Sequence, residues 1–290
     1  MLFLIGSIIL TSYLTLSFKI TERLHINTFQ AIVFNYLTCV ITGSIFNGHF
    51  PINAVAMQQP WFLWALLMGT IFITTFNIVG FTTQQLGVSV ASVANKLSLV
   101  IPFLFSVFLY HEKATVIKLL GIVLALVAVY LTVKPATDQP GKKANKWLLL
   151  LPVLLFAGSG LLDTLIKYTE QRFLNGSNNN DFLITAFGSA AGIGLLVLLI
   201  RIITGKQKFE YKAVLAGMAI GLPNYFSIWC LMRVLKQYAG NSSAIIPINN
   251  MGIVLFSALA AWILFKERLS LLNWLGIVLA LGAIALIAFG

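Results

Sequence analysis

Charge is what this chain has least of. Only 9% of its 290 residues are Asp, Glu, Lys or Arg, and only eight residues are acidic. A soluble domain devotes roughly 25% of its residues to charge to cover its surface, so this chain cannot face water on all sides. Cysteine is nearly absent as well. Cys39 and Cys230 both fall in apolar runs, which excludes a disulfide framework and a thiolate metal site. The histidines, His25, His49 and His111, are scattered near segment ends. There is no HExxH, no glycine-rich phosphate loop and no spaced cysteine set. Gly158-Ser159-Gly160 lacks the strand-turn setting of a nucleophile elbow. Catalytic residues, a bound metal and a cofactor are therefore not expected. In a soluble chain the net charge of +11 would suggest nucleic acid. Here nucleic acid is not expected, because basic residues in short loops orient membrane spans and meet anionic headgroups.

What is present is apolar surface, 59% of the residues, with a mean hydropathy of +0.94. The bilayer is the expected solvent. A span needs about 20 mostly apolar residues. Ten segments qualify: 2–19, 28–46, 61–83, 88–110, 115–133, 147–167, 182–203, 213–235, 242–265 and 271–289. The first, MLFLIGSIIL onward, has no basic region before it and no small-residue cleavage site after it, so it reads as a span rather than a signal peptide. Trp61, Trp64, Trp147, Trp262 and Trp274 lie close to segment ends, where an amphipathic ring prefers the headgroup level.

The longest polar connection, residues 134–146, separates five spans from five. HEKATVIKLLGIVLALVAVY from His111 aligns with KERLSLLNWLGIVLALGAIA from Lys266 at an offset of 155, with nine of twenty positions identical. Glu112 falls on Glu267 and Asn95 on Asn250 at the same offset. An odd number of spans per half forces the halves to cross the membrane in opposite senses. The expected fold is all-α and integral to the membrane, with ten transmembrane helices as two inverted five-helix repeats, 1–133 and 147–290, joined by a basic linker at 134–146. Substrate in such folds sits near the midplane. Loops after odd-numbered spans carry twelve basic residues and those after even-numbered spans carry six. The positive-inside rule then makes the linker cytoplasmic and puts both termini in the periplasm.

Polar residues inside spans are the candidate site. Lys96 lies eight residues into the fourth run, about 12 Å along a helix axis, near the middle of a core about 30 Å thick. Ser89, Ser92, Asn95 and Lys96 share one face by helical spacing. A cation at that depth either faces a cavity and an anionic group or snorkels along its stem to the headgroups. Asn249 and Asn250 follow Pro247, which removes a helical hydrogen bond, and Asn250 reaches the same depth as Asn95 from the opposite face. This is either a substrate contact or a plain kink. Asn77, Asn224 and Tyr225 are neutral groups well inside spans and further substrate candidates, Asn224 and Tyr225 the better ones because a proline precedes them. Interhelical hydrogen bonding is the alternative, and it suffices for Asn35 and Tyr36. Asp163 precedes Lys167 by one turn and reads as its ion-pair partner, the alternative being a carboxylate that couples transport to protons. GMAIG at 217–221 and GSAAG at 188–192 have the spacing of close helix packing.

The doubled pattern Glu112-Lys113…Gly121 and Glu267-Arg268…Gly276, with Pro102 in the helix before the first pair, resembles the drug/metabolite transporter superfamily and, within it, the ten-helix EamA-like group. The resemblance spans nearly the whole chain and implies a transporter of amino acids, sugars, nucleotide sugars, triose phosphates or drugs. SIILTSYLTLSFKITE is similar to the first helix of the small multidrug members, which carry a glutamate eight residues before the lysine. Thr11 and Ser159 stand there in this chain, so proton-coupled export of cationic drugs is not carried over. The expected protein is a secondary carrier of a small polar metabolite in the cytoplasmic membrane, monomeric or homodimeric, with the lipid bilayer as its other partner. The competing expectation is a lipid-handling flippase or accessory subunit of the same fold.

Overall fold

Apolar runs of this length have one way to satisfy their backbone in lipid, which is to form helices. A computed structural model describes residues 2–110, 115–133, 146–175, 178–237 and 242–289. The helices are α1 (Leu2–Arg23), α2 (Thr28–Asn47), a short α3 (Ala54–Met57), α4 (Phe62–Leu86), α5 (Val88–Leu97), α6 (Val100–Tyr110), α7 (Val116–Val133), α8 (Leu150–Phe173), α9 (Asn179–Ile203), α10 (Tyr211–Gln237), α11 (Ser242–Phe265) and α12 (Leu271–Phe289). A 3₁₀ turn at Lys146–Leu149 leads into α8. Nine stretches among the described residues are long and apolar enough to cross a membrane, α5 with the start of α6 counting as one, and Val116–Thr132 is a slightly shorter tenth. These correspond to the ten expected spans. The linker 134–145 and the Glu112-Lys113 pair lie outside the described residues.

One expectation needs correction. The fourth run is not a single helix over 88–110 but two, with Ser98 and Leu99 between them. The cause is Pro102. It has no N–H to offer the Ser98 carbonyl, which instead accepts from Ile101 N–H at 2.9 Å, while Leu99 O accepts from Phe103 N–H at 3.2 Å. Pro102 thus falls in the first turn of α6, where its missing donor has no intrahelical partner anyway.

The chain forms two compact units. The first comprises Met1–Lys19, Ile78–Leu161 and Phe226–Gly290, and the second Ile20–Asn77 and Leu162–Tyr225. Each unit draws matching segments from both sequence halves, and α1, α4, α8 and α10 contribute to both units.

In the first unit the two LGIVLAL helices, α7 and α12, pack together. A Cβ on Gly121 would lie 2.8 Å from Ile287 Cγ1, and one on Gly276 would lie 2.8 Å from Thr132 N. The repeat offset of 155 exchanges the two pairs, making Gly121 equivalent to Gly276 and Thr132 equivalent to Ile287. The early glycine of each repeat therefore lets the far end of its counterpart come close, and the equivalent helices run antiparallel. Asn273 Nδ2 in the first turn of α12 donates to the carbonyls of Leu131 (3.2 Å) and Thr132 (2.9 Å), closing the end of α7. The core here joins Val93 and Leu97 of α5, Val100 of α6, Ala125 and Ala128 of α7, Val254 and Ala258 of α11, and Ile277 to Ile287 of α12.

The second unit repeats the logic. The equivalent second spans, α2 and α9, pack antiparallel, with Gly43 against Ile184 and Gly194 against Val33. The GMAIG face does pack closely: a Cβ on Gly217 would lie 2.8 Å from Ala31 O, and one on Gly221 would lie 2.6 Å from Asn35 O. In GSAAG, Gly188 abuts Ile52, but Gly192 faces open space, so that pair is not a backbone contact. Asn27 caps α2 through Gln30 N–H at 3.0 Å.

Candidate functional site

The helix break sets the chemistry of the first unit. α5 begins at Gly87, whose φ of 102° is a backbone conformation that side chains disfavour. The Glu267 carboxylate caps it, accepting from Val88 N–H at 2.8 Å and from the Ser89 hydroxyl at 3.2 Å. A carboxylate at a helix N-terminus is favoured by the helix dipole. α5 ends one residue after Lys96. A cation in the last turn meets the partial negative charge of the terminal carbonyls. That is a physical reason for a lysine at this depth which a continuous helix would not supply. Ser98 Oγ turns back to donate to Asn95 O.

α5 packs on α11, and both carry buried polar groups with nothing to bind. Ser92 is 2% exposed and Asn249 is 3% exposed, yet Ser92 Oγ and Asn249 Oδ1 have no hydrogen-bond partner. Ser7 Oγ on α1 and Ser159 Oγ on α8 are in the same condition within this unit. Most buried side-chain polar atoms find a partner in protein or ordered water, and an orphan calls for an explanation. Asn95, Lys96 and Asn250 are half-buried. Of the eight sequence-derived substrate candidates, Ser92, Asn95, Lys96, Asn249 and Asn250 thus lie in the first unit, on two helices in contact.

The other three lie in the second unit. Asn77 spends its amide on its own helix, Nδ2 donating to Ile73 O at 2.7 Å. Asn224 Nδ2 donates to Asn35 Oδ1 at 3.0 Å, linking α10 to α2. This is the interhelical bond that such residues commonly make. Tyr225 is buried, its ring 6.0 Å from that of Phe46. Tyr36 donates its hydroxyl to Phe72 O at 2.9 Å. Asp163 also belongs to the second unit and is an exposed residue one turn before Lys167 on α8.

Sequence reasoning missed Ser7 as a candidate, since a serine in a first span carries no signal of its own. It noted Ser159 for the glutamate that it replaces and for the glycines on either side of it, but not as a substrate contact. The Glu267 cap was also invisible, because the contact joins residues 179 apart.

Ten apolar spans, an internal repeat whose equivalent helices pack antiparallel and buried polar groups on a broken helix define a multi-pass membrane protein of the transporter class. The model of the EamA-like transporter family matches residues 1–134 and 145–289, and the chain belongs to that family. It is a membrane transporter of the drug/metabolite type. The chain is similar to a protein of Haemophilus influenzae described only as uncharacterized, with 28% identity over 97% of this chain and 95% of the relative. It also resembles a solved crystal structure with a TM-score of 0.63 at 16% identity, covering 98% of this chain and 94% of the other. At that identity the likeness concerns the fold alone.

Proposed function

We propose that the protein is a secondary carrier that moves a small polar, anionic metabolite, an amino acid, organic acid or phosphorylated compound, across the cytoplasmic membrane by alternating access. The rearranging parts draw helices from both inverted repeats, residues 1–133 and 147–290, since each compact unit does. Lys96 meets the carboxylate or phosphate of the substrate. Asn95, Asn250, Asn249 and Ser92 hydrogen-bond the rest of it. Asn77, Asn224 and Tyr225 belong to the second unit, and the amides of the two asparagines already have partners there.

The observation that carries this reading is the pair of orphaned atoms, Ser92 Oγ and Asn249 Oδ1, buried on the packed helices α5 and α11, with Lys96 in the last turn of α5. A buried polar group without a partner costs about 1–3 kcal/mol, and a ligand that bonds to it removes that cost. Lys96 adds a cation in the last turn of α5, and its attraction for an anionic ligand is strengthened where the dielectric is low. The test is a thermal-shift screen of purified protein against carboxylates and phosphorylated metabolites. A ligand present at 100 times its dissociation constant adds about 2.7 kcal/mol of stability. Lys96→Met keeps the apolar stem and should express well while losing that shift and the transport of the same compound. Normal transport by Lys96→Met would make Lys96 a snorkelling residue and remove the site.

The basic-residue count supports periplasmic termini. A C-terminal alkaline phosphatase fusion should be active and a green fluorescent protein fusion dark, and the opposite pair of results reverses the orientation.

A further inference from the structure

A different feature lies in the second unit, at the end of α9. Val197, Ile200, Arg201, Thr204, Lys206 and Gln207 line an open depression of about 490 Å³. Its composition is divided. Val197 and Ile200 form an apolar wall on the last turns of a membrane-spanning helix, and the neighbouring Ile203 is 83% exposed. Arg201 and Lys206 place two cations at the foot of that wall. No carboxylate of the described residues pairs with either of them. The Arg201 guanidinium is held over the Phe29 ring of α2, 4.7 Å from its centroid. Gln207 also lines the depression, with its Nε2 buried and without a hydrogen-bond partner.

The loop that carries these groups is fixed in place. Gln207 N–H donates to Arg201 O at 3.1 Å. Gln30 Nε2 of α2 donates to Lys208 O at 2.6 Å, and Gln30 Oε1 accepts from Glu210 N–H at 3.0 Å. Glu210, the acid nearest in sequence, has its Oε2 on Asn27 N–H at 3.0 Å. Cations at a helix C-terminus are favoured by the dipole alone. That accounts for the charge, but not for an unpartnered amide donor beside it or for the apolar wall above it.

We infer that this depression binds an anionic phospholipid of the leaflet at the α9 end, its phosphate between Arg201 and Lys206 and an acyl chain against Val197 and Ile200. The recognised chemistry is a phosphate anion. The apolar wall, continuous with a helix face that meets lipid, selects a lipid over a soluble phosphate. Basic pockets at span ends take anionic headgroups by this combination of charge and apolar contact.

The test uses the full-length protein and native mass spectrometry in detergent, with phosphatidylglycerol and phosphatidylcholine of identical chains. Phosphatidylglycerol should bind the wild type about tenfold more tightly than phosphatidylcholine. The double variant Arg201→Gln, Lys206→Gln should lose that preference while remaining folded. Lys208→Gln, Lys212→Gln removes the same charge from the loop and the first turn of α10, outside the depression, and should keep it. Equal loss in the two double variants would reduce the site to diffuse surface charge and overturn the proposal, as would equal binding of the two lipids. Competition by inorganic phosphate or glycerol phosphate at the lipid's concentration would overturn the lipid assignment in favour of a soluble anion.

Discussion

The fourth span of each half makes an instructive pair. Both contain a proline and both carry asparagines that align in the repeat, Asn95 and Asn250. One span is broken into α5 and α6, while the other, α11, runs unbroken over 24 residues. The difference lies in where the proline falls. Pro247 is the sixth residue of α11, so the hydrogen bond it removes reaches back into the first turn. Pro102 is the fifteenth residue of the run that begins at Val88. There the missing bond would fall in mid-span, and the chain ends one helix and starts another so that the proline sits in a first turn. A proline near a helix start is tolerated, and one in the interior costs about 3 kcal/mol or more. The break in turn gives Lys96 a helix end to sit at, which α11 does not offer Asn250.

The largest expected effect is on the start of the broken span. Gly87→Ala puts a Cβ at a φ of 102°, about 3.1 Å from Glu267 Oε1. Both the conformation and the cap resist it. We expect a loss of about 1–3 kcal/mol, read as a lowered melting temperature of purified protein in detergent. An unchanged melting temperature would mean that α5 starts elsewhere and that Glu267 does not hold it.

The helices themselves were legible because their signal is long and redundant. Twenty apolar residues in lipid leave no alternative to a helix, and each expected span agrees with an observed one to within a few residues. The pairing of α7 with α12 was implied by LGIVLAL, and the geometry adds that Gly121 and Gly276 make reciprocal close contacts. The break at Ser98–Leu99 was not legible in the same way. A continuous helix over 88–110 fits the bilayer equally well, and a proline there reads as a kink until the bonds of Ser98 and Leu99 are traced. α3 was missed because four residues, AVAM, are too few to show a period. In the candidate site, polar type and depth pointed to Ser92, Asn95, Lys96, Asn249 and Asn250. Sequence could not separate these from Asn77 and Asn224, since only the fold shows which amides are already engaged.

A smaller effect should separate the two prolines. Pro102→Ala restores a donor where the run has split, and Pro247→Ala restores one near the start of an intact helix. Hydrogen exchange read on peptides across each site should show slower exchange around residues 98–103 in Pro102→Ala, by about tenfold, which corresponds to about 1.4 kcal/mol. Pro247→Ala should change its own region less. If both variants respond equally, proline position does not explain the broken span, and another contact holds α5 and α6 apart.

The smallest expected effect concerns Asp163, and it sharpens the contrast between the ionisable residue proposed for the site and one proposed to stand outside it. Lys96 is half-buried at a helix end in the first unit, whereas Asp163 is exposed in the interior of α8 in the second. Lys167 follows it by one helical turn, and an exposed pair at that spacing is worth about 0.3–0.5 kcal/mol. An aspartate with that role has little to give up. Asp163→Asn should leave concentrative transport and the melting temperature almost unchanged once a substrate is in hand. The comparison that decides is between net accumulation, which needs coupling to an ion gradient, and exchange of labelled for unlabelled substrate, which does not. If Asp163→Asn keeps exchange but loses proton-driven accumulation, the carboxylate carries the coupling proton, and its position one turn from Lys167 is then how its charge state is set rather than the reason it is there.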